Sequence, residues 1–387
     1  MKTVPEVSRV LRYPGSAIQV EGPARDVEWV VQFLGPSFSS RIMGEAHWRV
    51  RMVRDQTAFE KRLRAGPDPR ARRRPCFFLD TRTETLPLWR GPRGATAVFD
   101  RDHGGFAFVR KQGSEVEILC PERNHISRLA FMRIVREHAL SRLMSRPGLL
   151  LHASALVMEG RSALVIGEKR SGKTSLMLHS LWQGNGDPSS SGGPARYLAN
   201  DRLWLSFRNG APTARSFPTI ASLRLSSLGL FPGIAAKLEK STWVPTLTLQ
   251  ESRLRSAPVA QPWNGRKYTL SPVQLCRLLG VEASAAAPVG IILFPRVTGK
   301  RGRIRITPMH SLEAEAALWR GLFRAGTPQK AGGLFSARGY PRRIDREATS
   351  HGIRELVGQV PCYSVELGLG AYSDRGWLNR LQARMAR

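Results

Sequence analysis

The sequence predicts an α/β fold, with a three-layer core in its C-terminal two-thirds and an α+β or mostly β module before it. Three observations lead there. From about residue 126 onward, apolar runs of strand length alternate with helical patterns. The segment Gly167-Glu168-Lys169-Arg170-Ser171-Gly172-Lys173-Thr174 matches G-x-x-x-x-G-K-[ST] at every fixed position. The apolar run Ser162–Ile166 leads into it and the helical pattern Thr174–Trp182 leads out, which is the strand, loop, helix order that this pattern requires.

Residues 1–125 form the N-terminal module and 126–387 the loop-containing domain. In the module, Trp29–Leu34, Cys76–Leu79, Thr96–Phe99 and Val116–Leu119 each suggest a strand, and Phe106–Arg110 is placed to pair with the last. Residues 124 to 145 read as a helix, because Leu129, Met132, Val135, Ala139, Leu140 and Leu143 recur at helical spacing. Pro147-Gly148 ends it. Leu149–Val157 then reads as one strand, turning at Gly160 into the strand before the loop. Residues 184 to 194 are rich in Gly, Ser, Pro and Asn and read as a mobile surface loop. Arg196–Asp201 and Leu203–Phe207 are the next strands. Ser271 and Pro272 open a short helix running to Gly280. Val289–Pro295 is a buried strand, Leu312–Phe323 a helix and Val360–Leu367 a late strand.

The chemistry of the loop follows from its residue types. Gly167 and Gly172 permit backbone angles that a side chain would block. The amides of Glu168, Lys169, Arg170 and Ser171 can then curl around phosphate oxygens. The helix that begins with Lys173, Thr174 and Ser175 adds unsatisfied N–H groups and the positive end of its dipole. Lys173, expected partly exposed, reaches the β- and γ-phosphates of a nucleotide such as ATP, and the Thr174 hydroxyl is offered to Mg2+.

Composition narrows the partners. No apolar run is long enough for a transmembrane helix, and residues 1–7 have no signal-peptide core, so a soluble, cytoplasmic chain with no membrane partner is expected. Cys76, Cys120, Cys276 and Cys362 are far apart and form no C-x-x-C pair, which argues against a metal site or a disulfide framework. The net charge is +30, with ten lysines among 60 basic residues. Arginine is spread along the whole chain, as GC-rich coding would also give, and is dense only between Arg62 and Arg74. No aromatic residues interleave with that run, so a nucleic-acid partner is disfavoured against an acidic protein or peptide. A homo-oligomer is compatible with the sequence, and no internal repeat is present.

His152 in Leu151-His152-Ala153-Ser154, the Gly167–Thr174 loop, and Asn200-Asp201 at the end of an apolar strand together resemble the HPr kinase/phosphorylase superfamily, in its kinase-related branch. The resemblance runs from about residue 127 to 367. It implies ATP-dependent phosphorylation of a serine on a protein or peptide. It also implies that Lys173, His152 and Asp201 are catalytic, with His152 orienting a carboxylate or lying near the transferred group. By the same resemblance Asp201 joins Thr174 near Mg2+ or the incoming hydroxyl. A structural histidine and an Asx turn at a strand end are the plainer readings of His152 and Asp201.

Two departures qualify this. Asn200 stands where the family has the first of two acidic residues, so a base role falls on Asp201 or is absent. Phosphoryl transfer tolerates that loss, because its loose transition state depends mainly on positioning and charge. Second, there is no downstream Glu-x-Arg-Gly segment; Ser216-Phe217-Pro218-Thr219 lies in that region. Arg296 and Lys267 can face the nucleotide, or simply be solvated. An ATP-hydrolysing switch and a small-molecule kinase on the same scaffold are the rival functions.

Overall fold

The computed structural model describes residues 5–65, 72–77, 85–91, 94–98, 108–122, 127–143, 145–186, 194–208, 210–224, 228–240, 267–323 and 346–386. They fall into two compact units. The first is drawn from Met1–Arg146, the second from Pro147–Phe323 and Asp345–Arg387.

The first unit contains β1 (Glu6–Tyr13), β2 (Ser16–Pro23), α1 (Ala24–Leu34), β3 (Ser39–Arg41), β4 (Trp48–Arg54), α2 (Gln56–Ala65), β5 (Arg72–Phe77), β6 (Thr85–Gly91), β7 (Gly94–Val98), β8 (Phe108–Gln112), β9 (Glu115–Cys120) and α3 (Ser127–Leu143). Its nine strands form one sheet in the order β3-β1-β2-β4-β9-β8-β7-β6-β5. The β2–β4 and β4–β9 pairings are parallel. Strand alternation sorts the residues by face: Val50, Met52, Val116 and Ile118 are buried, while Arg49, Arg51 and Glu115 between them are exposed. Helices α1 and α3 pack on the apolar side. Asp26, at the start of α1, is fully buried and held by Arg54 Nε at 2.6 Å and Arg128 Nε at 2.6 Å. Burial pushes its carboxyl up, but the two guanidiniums outweigh that and leave it below the ordinary carboxylate range.

Trp29–Leu34 is not a strand, as the sequence reading had it, but the second half of α1. Asp26, Val27, Val30, Phe33 and Leu34 are its buried residues, a period near 3.6 that appears only when the window reaches back to Val27. The expected division at 125/126 falls at 146 in the structure, because α3 packs on β2, β4 and β9 and goes with the first unit.

The second unit contains β10 (Leu149–Leu151), β11 (Ala153–Met158), β12 (Arg161–Ile166), α4 (Lys173–Gly186), β13 (Arg196–Ala199), β14 (Leu203–Arg208), β15 (Ala211–Ser216), β16 (Ala221–Arg224), α5 (Pro232–Glu239), β17 (Lys267–Leu270), α6 (Pro272–Leu279), β18 (Ala286–Val297), β19 (Ile304–Pro308), α7 (Ser311–Gly321), α8 (Arg346–Gln359), β20 (Cys362–Leu367) and α9 (Trp377–Met385). Its main sheet is mixed. The order is β10-β14-β15-β18-β12-β11-β13, with β20 against β18 and β19 beyond β20. β12 runs parallel to β18, and β18 parallel to β20.

Helices cover both faces, giving three layers. Val165 and Leu293 pack with Leu176 of α4, Leu275 of α6 and Trp377 of α9 on one side. Leu164, Ile166 and Ile292 pack with Leu318 of α7 and Ile353 of α8 on the other. With both faces buried these strands are continuous apolar runs, which is why they were readable in the sequence. The α6 start is as expected: the Ser271 side chain accepts from the Gln274 amide in a capping box, and Gly280 ends the helix in the left-handed region.

The run 149–157 is two strands, broken at His152, whose amide donates to Gly321 O at 2.8 Å. β10 joins β14, and β11 joins β12 and β13. The tail of the β13 run, Asn200-Asp201, leaves the sheet. Of the expected mobile loop at 184–194, residues 184–186 are instead the end of α4, and 187–193 lie outside the described residues, as do Leu79, Phe99, Phe106, Ala107, residues 124–126 and Arg70. No helix among the described residues is long and apolar enough to cross a membrane.

Candidate functional site

β12 ends at Ile166, and the Gly167–Gly172 segment carries the chain into α4. Gly172 has φ +97, the left-handed region that favours glycine; a Cβ there would sit 2.5 Å from Leu367 Cδ1, which would have to swing aside. A Cβ on Gly167 would meet Ser171 Oγ at 2.7 Å. Arg170 also takes a left-handed φ of +71.

Lys173, the first residue of α4, turns back over this segment. Its Nζ donates to Gly167 O and Glu168 O, both at 2.8 Å. It is only 7% exposed, against the expectation of partial exposure, because its stem is packed while its ammonium caps the loop carbonyls. Burial lowers its pKa, opposed by the charges of Asp201 and Glu168. The Ser175 hydroxyl hydrogen-bonds Tyr372.

The strand beyond β11 supplies the polar partners. Asn200 is buried, and its Oδ1 accepts from Thr174 Oγ1 at 3.1 Å and from Ser154 Oγ at 3.2 Å. Its backbone carbonyl accepts from the Thr219 hydroxyl and the Arg202 amide. With its proton directed at Asn200, the Thr174 oxygen keeps its lone pairs for a cation.

Asp201 follows in the left-handed region, φ +69. Three non-glycine residues have positive φ among the described ones, and Arg170 and Asp201 are two of them, so backbone strain gathers around the loop. The Asp201 side chain is 43% exposed and its Oδ1 lies 2.9 Å from His152 Nε2, the donor. Arg202 Nε is 3.8 Å from Asp201 Oδ2, and its guanidinium covers the Phe323 ring at 4.3 Å. Burial would raise the Asp201 pKa; the His152 hydrogen bond and the Arg202, His152 and Lys173 charges outweigh it and hold the carboxyl below the usual range.

A cavity of 540 Å3 opens on the opposite side of the loop, toward β18 and β20. Glu168, Lys169, Arg170 and Ser171 line one wall. Arg296 is there as well, its Nη2 2.6 Å from Glu366 Oε1. Across it Arg320 Nε lies 3.6 Å from Glu168 Oε1.

The sequence-identified residues thus divide. Lys173 lies on the loop carbonyls, Thr174 is joined to Asn200 rather than to Asp201, and Asp201 is joined to His152. Lys267 pairs with Arg224 in the small β16–β17 sheet. Sequence reasoning missed Ser154, Thr219 and the part played by Asn200. The signal was the two-residue period of a strand, which puts Ser154 on the same side as His152. Thr174 and neutral Asn200 offer oxygen donors of the kind Mg2+ takes when substrate phosphates and waters complete its shell. No group of three or more His, Cys, Asp or Glu among the described residues forms a self-sufficient metal cage.

No family model matches this chain, and no curated protein matches it. Among solved structures, the Hpr(Ser) kinase/phosphatase from Coxiella burnetii is similar over 62% of this chain and 99% of that one, at 11% identity and a TM-score of 0.26. At that score the likeness says nothing of what the chain binds.

Proposed function

We propose that this chain is an ATP-dependent kinase of HPr-kinase type that phosphorylates a serine on a protein or peptide. The observation that supports this most is the complete G-x-x-x-x-G-K-[ST] pattern set between β12 and α4, with Lys173 already seated on the loop carbonyls. In this reading the amides of Glu168–Ser171 and the start of α4 hold the phosphates, and Lys173 neutralises charge on the transferred group. Mg2+, held by Thr174 and the phosphates, would supply further charge neutralisation. The acceptor oxygen forms a bond to the γ-phosphorus as the bond to the bridging oxygen breaks. Asp201 accepts the hydroxyl proton and His152 fixes the carboxylate's orientation. A carboxyl held below its usual range is a weak base, so Asp201 contributes mainly by orienting the hydroxyl.

Lys173→Ala is the test. Titration of a fluorescent ATP analogue and radiolabelled transfer to a serine peptide pool should both fall by about a hundredfold or more, with the circular dichroism unchanged. Equal binding and transfer in variant and wild type would sink the reading.

A further inference from the structure

Helix α4 carries a second row of polar side chains behind Lys173 and Thr174. Ser175, His179 and Gln183 recur every four residues, so they lie one above another on one face of the helix. All three meet the short turn after β20, at residues 371–374. The Ser175 and Tyr372 hydroxyls share a hydrogen bond. His179 hydrogen-bonds the Asp374 backbone, and its ring meets that of Tyr372 edge-on, with centroids 5.6 Å apart. Gln183 Nε2 donates to Asp374 O at 2.7 Å.

The turn is itself held in place. The Gly370 amide donates to Gly302 O at 3.1 Å. Asp374 is buried and accepts from the Ile304 amide at 3.1 Å and from Arg380 Nη2 at 2.6 Å. Phe231 also packs edge-on against the Tyr372 ring, at 5.1 Å between centroids. Phenylalanine at position 372 would supply all of this ring packing; what tyrosine adds is the hydroxyl. That hydroxyl would lie 3.7 Å from a Cβ placed on Gly172. It therefore stands beside the last glycine of the loop and bonds the first turn of α4. The Leu176 amide already donates to Gly172 O at 2.8 Å. Those of Lys173, Thr174 and Ser175 come before that bond in the helix and are the ones a phosphate can use.

We propose that Tyr372 is a positioning residue of the loop: its hydroxyl, on a ring braced by His179 and Phe231, anchors Ser175 and so sets the first turn of α4 to receive the phosphates of a nucleoside triphosphate. The proposal rests on the kinase reading above, through its ATP-binding loop. The anchor orders the turn before the ligand arrives, so its effect is read in affinity.

The test is calorimetric titration of the full chain with ATP and with tripolyphosphate, Mg2+ present. Tyr372→Phe keeps the ring and loses the bond; it should bind both ligands about five- to tenfold more weakly, the worth of one hydrogen bond. Ser175→Ala should do the same. The double variant should be no weaker than either single one, because each removes the same bond. Ser175→Thr keeps a hydroxyl and should bind close to wild type. Wild-type affinity in Tyr372→Phe overturns the proposal, even with a lowered melting midpoint, since the bond then serves stability alone. So do losses that add in the double variant. A loss for ATP that spares tripolyphosphate also overturns it, because Tyr372 would then act on the base or ribose. A wild-type chain that binds neither ligand defeats the loop reading and this proposal with it. One that binds both, with variants indistinguishable from it, defeats this proposal alone.

Discussion

Among the described residues of the first unit, α1 and α3 pack on one face of the sheet and charged side chains of β1, β2, β4 and β9 line the other; the second covers both faces of its main sheet with helices. On the charged face of the first unit the signs alternate. Arg49 lies 3.6 Å from Glu21 and 3.5 Å from Glu115, and Arg51 lies 3.2 Å from Glu6. That surface neutralises itself. In the second unit charge is displaced from the faces to the ends of the strands, where His152, Asp201, Lys173 and Arg296 gather. Ligands of open α/β sheets sit at the carboxyl ends of strands for the same reason: the faces are occupied and only the ends are open. The difference teaches where +30 of net charge matters. A charged face can be idle when each charge has an opposite neighbour, while charges gathered at strand ends lie beside the loop.

The strongest test of the contrast is Asp26→Asn. It strands Arg54 and Arg128 around an uncharged amide in the first unit and should cost about 3–5 kcal/mol. By hydrogen exchange, amides of β1, β2 and α1 should lose protection while those of β12 and α4 keep theirs. Equal loss in both units would mean that they do not differ in the way described.

Acid should weaken both units, for a shared reason. An unfolded histidine takes up its proton near pH 6.5, but burial delays uptake to about 3 for His138 in the first unit and about 4 for His179 in the second. Between those values the unfolded chain binds the extra proton, so stability is full above pH 6.5 and falls as pH drops. Each histidine carries roughly 3–5 kcal/mol over its whole window. The loss continues to lower pH in the first unit, where Asp26 adds a carboxylate whose stabilisation is present above its ordinary pKa and disappears as it protonates. Denaturant midpoints that do not move between pH 7 and pH 4.5 would contradict this. His138→Phe and His179→Phe should each flatten the profile.

Asn200→Ala should have a smaller effect, about 1–2 kcal/mol in stability, since it leaves the Thr174 and Ser154 hydroxyls without their shared acceptor. It should also weaken Mg2+-dependent nucleotide binding, whereas Asn200→Asp should strengthen the Mg2+ dependence by adding a charge beside Thr174. Calorimetric titration of nucleotide with and without Mg2+ separates the two. Equal Mg2+ dependence in all three proteins would remove Asn200 from the site. Arg49→Gln is the smallest case: one member of an exposed, self-neutralised ladder, expected within ~0.5 kcal/mol of wild type by melting.

Much of the second unit could be read because its central strands are buried on both faces, so Ala163–Ile166 of β12 and Ile291–Phe294 of β18 are unbroken apolar runs, and α4 follows a fixed pattern. The first unit hid more. β1, β2 and β4 alternate apolar with charged residues, and Trp29–Leu34 carries enough apolar and β-branched residues to imitate a strand when Val27 is left out of the window. At the site, the loop residues were legible as a motif, but partnerships were not. Asn200 reads in sequence as a lost acid, and only the approach of Ser154, Thr174 and Thr219 makes it a hydrogen-bond hub. The exposure expected of Lys173 failed similarly, because nothing local shows that its ammonium will fold back on Gly167 and Glu168.

Trp377 at the start of α9 is fully buried, and its indole N–H donates to the Ser180 hydroxyl, which in turn donates to Leu176 O within α4. The indole and the hydroxyl are 197 positions apart, and Leu367, whose side chain lies against Gly172, is nearly as distant. The helix that follows the loop is therefore finished by residues made long after it. A nascent chain that has just emitted the Gly167–Thr174 segment holds the motif but not its surroundings, and the entropy of closing so long a loop must be met before the helix is fully packed. Order of synthesis and order of assembly differ here: the segment that names the site comes early, and the part that makes it rigid comes last.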